Sequence, residues 1–201
     1  MMADPTVKDL KKEIYLIMHK AQEMLELTED GFMKNKVAAL DEADDLAQEI
    51  HTKEDSLTAS LAKLSAANSD ARAILTVPSH IEKIASSIKR INENSRSRIK
   101  EGLLFSDKAI FETGKLFTKS KEILKKSAEA SVTGASSTFN TILADSDTLE
   151  RMANEFATAH EERLVTGECS PKSSSTYLCI LYAFEDMGAH IKDTVKKLSG
   201  K

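Results

Sequence analysis

Apolar residues return every three or four positions along nearly the whole chain, and this spacing leaves room for little except long amphipathic helices. A first stripe runs Leu10, Ile14, Ile17, Ala21, Met24, and a second Val37, Leu40, Ala43, Leu46, Ile50, Leu57, Leu61, Leu64. The third is Ile74, Ile81, Ile84, Ile88, Ile91, and the fourth Ile110, Phe117, Leu124. Phe139, Ile142, Leu149, Met152, Phe156 form the fifth, and Tyr177, Leu181, Phe184, Ile191, Val195, Leu198 the sixth. Each stripe is a single face and needs neighbours to cover it, so the expected fold is an all-α six-helix bundle.

The punctuation agrees. There are only seven Gly and three Pro, and no Trp. Gly31, Gly102, Gly134, Gly167 and Gly200 fall at or beside expected helix ends, where a left-handed backbone costs glycine little. Ser170-Pro171 has the order of an N-cap followed by a first helical residue. Ser106-Asp107 is expected to open the fourth helix, and Asn68-Ser69-Asp70 the third. Pro78 sits in mid-stripe and should kink the third helix or shift its start. Gly114 and Gly188 lie inside stripes, where close helix approach is the expected compensation for about 1 kcal/mol of lost helix propensity.

Several function classes find no support. No apolar run approaches the roughly 20 residues that span a bilayer, and residues 1–9 lack the basic and apolar regions of a signal peptide. The two cysteines, Cys169 and Cys179, suit a reducing compartment, so cytoplasm is the expected location. A formal charge of −4 and the lack of aromatics interleaved with basic residues argue against nucleic acid. No Gly-x-Ser-x-Gly elbow, phosphate-cradling loop or dinucleotide fingerprint is present, and a catalytic cysteine needs a base beside it. Cys179 reads instead as a small core residue, and the chain as non-enzymatic.

Metal binding is the sharper alternative. Di-iron bundles use Glu-x-x-His pairs, yet the residues three before the five histidines are Leu16, Gln48, Val77, Ala157 and Met187. What remains is carboxylate spacing. Asp41 and Asp45 are four apart on one helix, and Glu82 and Glu185 lie on the third and sixth helices beside apolar stripes. Such oxygens could hold a divalent or trivalent metal, although Asp41, Glu42, Asp44 and Asp45 read more simply as a solvated acidic face. From Lys83 to Lys126 basic residues outnumber acidic ones, a stretch suited to an anionic partner surface or to solvent.

The order of helices repeats: long, longer, medium, then the same again. Aligning Ile81-Glu82-Lys83-Ile84-Ala85 with Phe184-Glu185-Asp186-Met187-Gly188 sets Glu82 and Glu185 103 positions apart, near half the chain. The expected organisation is two tandem three-helix repeats, residues 1–101 and 102–201, in one compact body.

A further set of residues carries a family resemblance. His160-Glu161-Glu162-Arg163-Leu164, then Gly167-Glu168-Cys169-Ser170-Pro171, then Phe184 to His190 resemble the second repeat of PhoU-like domains. They look closest to the form appended to sodium/phosphate cotransporters. Ile81 to Ile88 looks like the first-repeat counterpart, and Phe105-Ser106-Asp107-Lys108-Ala109 like the start of the second repeat. The resemblance implies a regulatory or accessory protein of inorganic phosphate uptake that contacts a phosphate transporter or its signalling partner. A homodimer and peripheral membrane association through the transporter are compatible with it. It also implies a metal-binding Glu-x-x-x-Asp pair on the third helix of each repeat. Here those pairs read Glu82…Ser86 and Glu185…Ala189, so the cluster is expected to be lost, with at most weak metal binding at Asp41, Asp45, Glu82 and Glu185. No cofactor is expected. The alternatives are a metal-binding bundle protein or a generic helical scaffold or dimerisation module.

Overall fold

The computed structural model describes residues 5–200, and these are helical almost throughout. Six long helices and one short one follow in order: α1 (Val7–Lys34), α2 (Val37–Ser65), α3 (Ser69–Ala73), α4 (Val77–Glu101), α5 (Asp107–Thr133), α6 (Ser136–Val165) and α7 (Pro171–Leu198). The ends have local causes. Thr6 opens α1 with a capping box: its hydroxyl accepts from the Asp9 amide at 3.3 Å, and its own amide donates to the Asp9 carboxylate at 3.1 Å. Asn35 closes the helix in the left-handed region (φ 54°), and Gly134 closes α5 the same way (φ 66°). Ser106 and Ser170 cap α5 and α7 as expected.

The links between α1 and α2, and between α5 and α6, are two residues long, which forces each pair antiparallel. α4 packs along α7, and α1 lies against α2, α4 and α5. The main core therefore crosses between the halves, with Met24, Ile88, Phe117 and Phe184 in one cluster and the Phe117 and Phe184 rings edge to face at 5.0 Å. A smaller core gathers Leu10, Ile14, Leu61, Val77 and Ile81. No helix among the described residues is long and apolar enough to cross a membrane.

The burial register of α1 recurs in α5, although the residues that fill it differ. All ten buried positions of α1 recur as buried positions of α5 exactly 99 residues later, from Leu10 and Ala109 to Phe32 and Ser131. The left-handed caps Asn35 and Gly134 keep the same displacement. The same face of the same helix is thus used twice.

Four local expectations need correction. Asn68 caps only the five-residue α3; the third long helix starts at Val77, with Pro78 in its first turn, where the missing N–H breaks no helical bond. Gly31 lies inside α1 rather than at its end, and a Cβ there would sit 2.2 Å from Leu40 Cδ2. Gly188 does mark a close approach, since a Cβ there would sit 3.0 Å from Glu150 Cγ, but a Cβ on Gly114 would meet nothing within 4 Å. Cys179 is exposed rather than a core residue, because two helical steps of 100° carry it away from the buried Tyr177.

Candidate functional site

Three helices deliver a charge cluster into the interior at one end of the second half. Glu112 of α5 is 3 % exposed and accepts two bonds from Arg163 of α6, at 3.1 and 2.8 Å, in a forked pair. Tyr177 of α7 donates to the same carboxylate at 2.7 Å. Burial together with Glu112 pushes the Tyr177 phenol far above its ordinary value. Burial also works against the Arg163 charge, but the Glu112 carboxylate overcomes it and holds the guanidinium above its usual range.

His160 stands one turn before Arg163, its ring edge-on to Tyr177 at 4.8 Å. Its Nε2 meets Ser174 Oγ at 3.0 Å, and that hydroxyl donates onward to the Ser170 carbonyl at 3.0 Å. When the hydroxyl gives its one proton to that carbonyl, Nε2 is the protonated ring nitrogen. Nδ1 is left buried without a protein partner. Burial and then the nearby Arg163 charge lower the His160 pKa below 6.5, favouring the neutral ring.

The backbone closes the corner. The Arg163 carbonyl accepts from the amides of Glu168 and Cys169 at 2.9 and 3.2 Å, and Gly167 turns the chain with φ 77°. A cavity of about 210 Å³ remains between Phe105, Ser106, His160, Cys169 and Tyr177. Cys169 and His160 both line it without a hydrogen bond between them, and the Cys169 thiol lies instead against the Arg163 guanidinium. The residues from His160 to Pro171 that carry the sequence resemblance therefore build one α6–α7 corner, anchored by a buried carboxylate.

The acidic positions lie elsewhere, along α2–α4 and α6–α7. Glu82 meets His51 Nδ1 at 3.1 Å, and Glu185 accepts from Asn154 at 2.8 Å. Both partners of the first pair move by 103 positions to give the second, 51 to 154 and 82 to 185, so this contact too is used twice. Asp41 and Asp45 do not act together. Asp41 pairs with Arg96 at 2.7 Å, while Asp45 lines a separate groove with Lys20 and Glu49. The structure brings Asp44 instead onto the wall shared by His51, Glu82 and Ser86.

Each acidic face carries a cation of its own. Arg96 bridges Asp41 and Asp44 at 2.7 and 2.8 Å, and Lys192 bridges Asp147 and Glu150 at 2.9 Å each. Among the described residues, no three His, Cys, Asp or Glu side chains gather as a metal-holding group. Asp41, Asp44, Asp147 and Glu150 already face a guanidinium or ammonium group, Glu82 and Glu185 pair with His51 and Asn154, and Ser86 and Ala189 stand where the resemblance implies a further anionic ligand, so these side chains fit a multinuclear metal centre poorly. Sequence reading passed over Glu112, Arg96 and Lys192. Glu112 had one signal, its placement between Ala109 and Leu116 on the inward face.

No family model matches the sequence, and no curated protein sequence does. Solved structures do match. The crystal structure of PhoU from Pseudomonas aeruginosa superposes with a TM-score of 0.84 at 13 % identity, over 96 % of this chain and 94 % of that one. The phosphate transport system regulatory protein PhoU from Streptococcus pneumoniae gives 0.82 at 14 % identity, over 94 % and 91 %. Over nearly its whole length, the chain has the fold of the PhoU proteins.

Proposed function

We propose that this chain is a non-enzymatic regulatory or accessory protein of inorganic phosphate uptake that works in the cytoplasm by contact with a phosphate transporter or its signalling partner. The observation that carries the reading is the end-to-end likeness to PhoU structures, one of them described as a phosphate transport regulator, joined to the resemblance at His160–Pro171. The site chemistry supports contact rather than turnover. The buried Glu112–Arg163–Tyr177 cluster ties three helices together, and its polar atoms are largely spent on one another. The cations Arg96 and Lys192, each already held between two carboxylates, favour a mode of action without a metal cluster.

Deletion of the gene tests this directly. Phosphate uptake and expression of phosphate-starvation genes should change on deletion and return with the intact chain. Unaltered uptake and starvation response in the deletion strain would remove the reading. Metal analysis of protein purified without chelators addresses the rival; stoichiometric iron, manganese or zinc, lost on changing Glu82 and Glu185 to Gln, would favour a metal-binding bundle.

A further inference from the structure

One surface of the second half differs from its counterpart in the first in a way the fold does not require. An open groove of about 650 Å³ runs along α5 between α1 and α6, lined by Met33 of α1, Ile110, Phe111 and Gly114 of α5, and Met152 of α6. Phe111 is 62 % exposed and Met33 44 %, high values for side chains that gain from leaving water. The displacement of 99 residues identifies what the first half carries at these positions. Lys11 and Lys12 correspond to Ile110 and Phe111, and Tyr15 corresponds to Gly114. Between α1 and α2, moreover, ion pairs Lys20–Glu49 and Lys53–Glu13 bridge the helices. The first half keeps an open groove of about 640 Å³ at the equivalent place but lines it with Lys20, Asp45, Glu49 and Lys53; the second half sets Met152, Ile110 and Phe111 along its own.

Gly114 sharpens the contrast. A glycine inside a helix weakens it relative to alanine, and close packing usually explains its presence. Here no atom lies within 4 Å of where a Cβ would be, so nothing within the chain uses the space. The charges around the groove are unevenly committed. Glu29 pairs with Lys121, and Lys119 holds Asp145 at 2.5 Å and Glu122 at 3.9 Å. Lys115 has no carboxylate partner among the described residues; its Nζ lies 4.4 Å from the centre of the exposed Phe111 ring. The charge left to answer is positive.

We propose that this groove docks an amphipathic helix of a partner protein, with a bulky apolar side chain seated in the Gly114 recess and an acidic side chain beside Lys115. From Ile110 to Glu122 the groove floor runs roughly 18 Å at 1.5 Å per residue, about three turns of a docked helix. The inference rests on the contact reading above and gives the chemistry of the partner surface.

The test uses two fluorescent helical peptides with the same apolar anchors at i, i+4 and i+7, one flanked by Glu and one by Lys. Anisotropy titration of the full chain should show the Glu-flanked peptide binding at least tenfold more tightly. Gly114→Tyr, which places in the second half the ring the first half carries, and Phe111→Ala, a change at an exposed position, should each weaken that binding about tenfold with circular dichroism unchanged. Lys115→Glu should reverse the preference towards the Lys-flanked peptide. Equal or absent binding of the two peptides by the wild-type chain overturns the proposal. So does full affinity in Phe111→Ala, or self-association in ultracentrifugation that Phe111→Ala abolishes, which assigns the groove to a second copy. Capture by phosphatidylserine vesicles that Phe111→Ala abolishes assigns it to lipid and overturns the proposal equally. A phosphate phenotype without peptide discrimination removes the groove alone; peptide discrimination without a phosphate phenotype removes the phosphate reading alone.

Discussion

Glu112 shows how much one buried side chain can organise. Its two oxygens take three donors from two other helices, so removing a donor leaves a charge in the interior with too little compensation. Arg163→Ala should therefore cost roughly 3–5 kcal/mol, and Glu112→Gln in that background should recover part of it, as read from urea unfolding midpoints. His160 adds a pH dependence. Burial and Arg163 hold its pKa below 6.5 in the folded chain, so between that lowered value and 6.5 the unfolded chain binds the extra proton. Stability is then present above about pH 6.5 and lost as pH falls through that window. His80 and His190 are lowered too, by burial first, and act in the same direction. Melting curves from pH 7.5 to 5.5 should show the loss, and His160→Gln should shallow it. Of this cluster, His160 and Arg163 were legible as a patterned pair in the sequence. Glu112 was not, because its partners lie 51 and 65 positions away and a lone acid on a helix ordinarily reads as surface.

At the scale of helices, most ends were legible because capping is a local chemistry. Ser170 accepts from the Lys172 amide, and Ser170→Ala should lower stability by about 1 kcal/mol in the same unfolding assay. Inward faces were harder to read. The buried face of α5 uses Thr113, Ser120 and Ser127 as well as Leu116 and Ile123. Thr113 and Ser127 give their hydroxyl protons to carbonyls one turn back at 2.8 Å, so they enter the core at little cost while hydropathy passes over them. Glycine inside a helix was ambiguous for a related reason: the sequence shows the missing side chain but not what stands opposite. Gly31→Ala would drive a methyl into Leu40 and should destabilise by about 1–3 kcal/mol. Gly114→Ala meets open space and should stabilise by up to about 1 kcal/mol. Opposite signs for one substitution, measured side by side, check both readings.

For the whole molecule, the fold class was legible while the burial register shared by α1 and α5 was not. What the halves of α1 and α5 share is which positions face inward, not which residues fill them: Met18 answers to Phe117, Ala21 to Ser120, and Phe32 to Ser131. A pattern held in burial register survives substitutions that erase residue identity, and only coordinates make it countable. The link between α4 and α5 packs inward through Leu103 and Phe105 but is open to solvent at Leu104. The chain from Gly102 to Ser106 joins the halves, and Leu104 within it is 87 % exposed, whereas α1 against α5 and α4 against α7 bury the shared core. Residues 1–104 and 105–201, made as separate polypeptides, should therefore find one another in a test tube. Each alone should be largely unstructured by circular dichroism, and mixing should restore helicity at a one-to-one ratio. A nick after Leu104 would then leave an assembly held by side chains alone, and the chain becomes a two-piece reporter: below the concentration at which the free fragments pair, fused fragments would regain their fold only where the proteins that carry them meet.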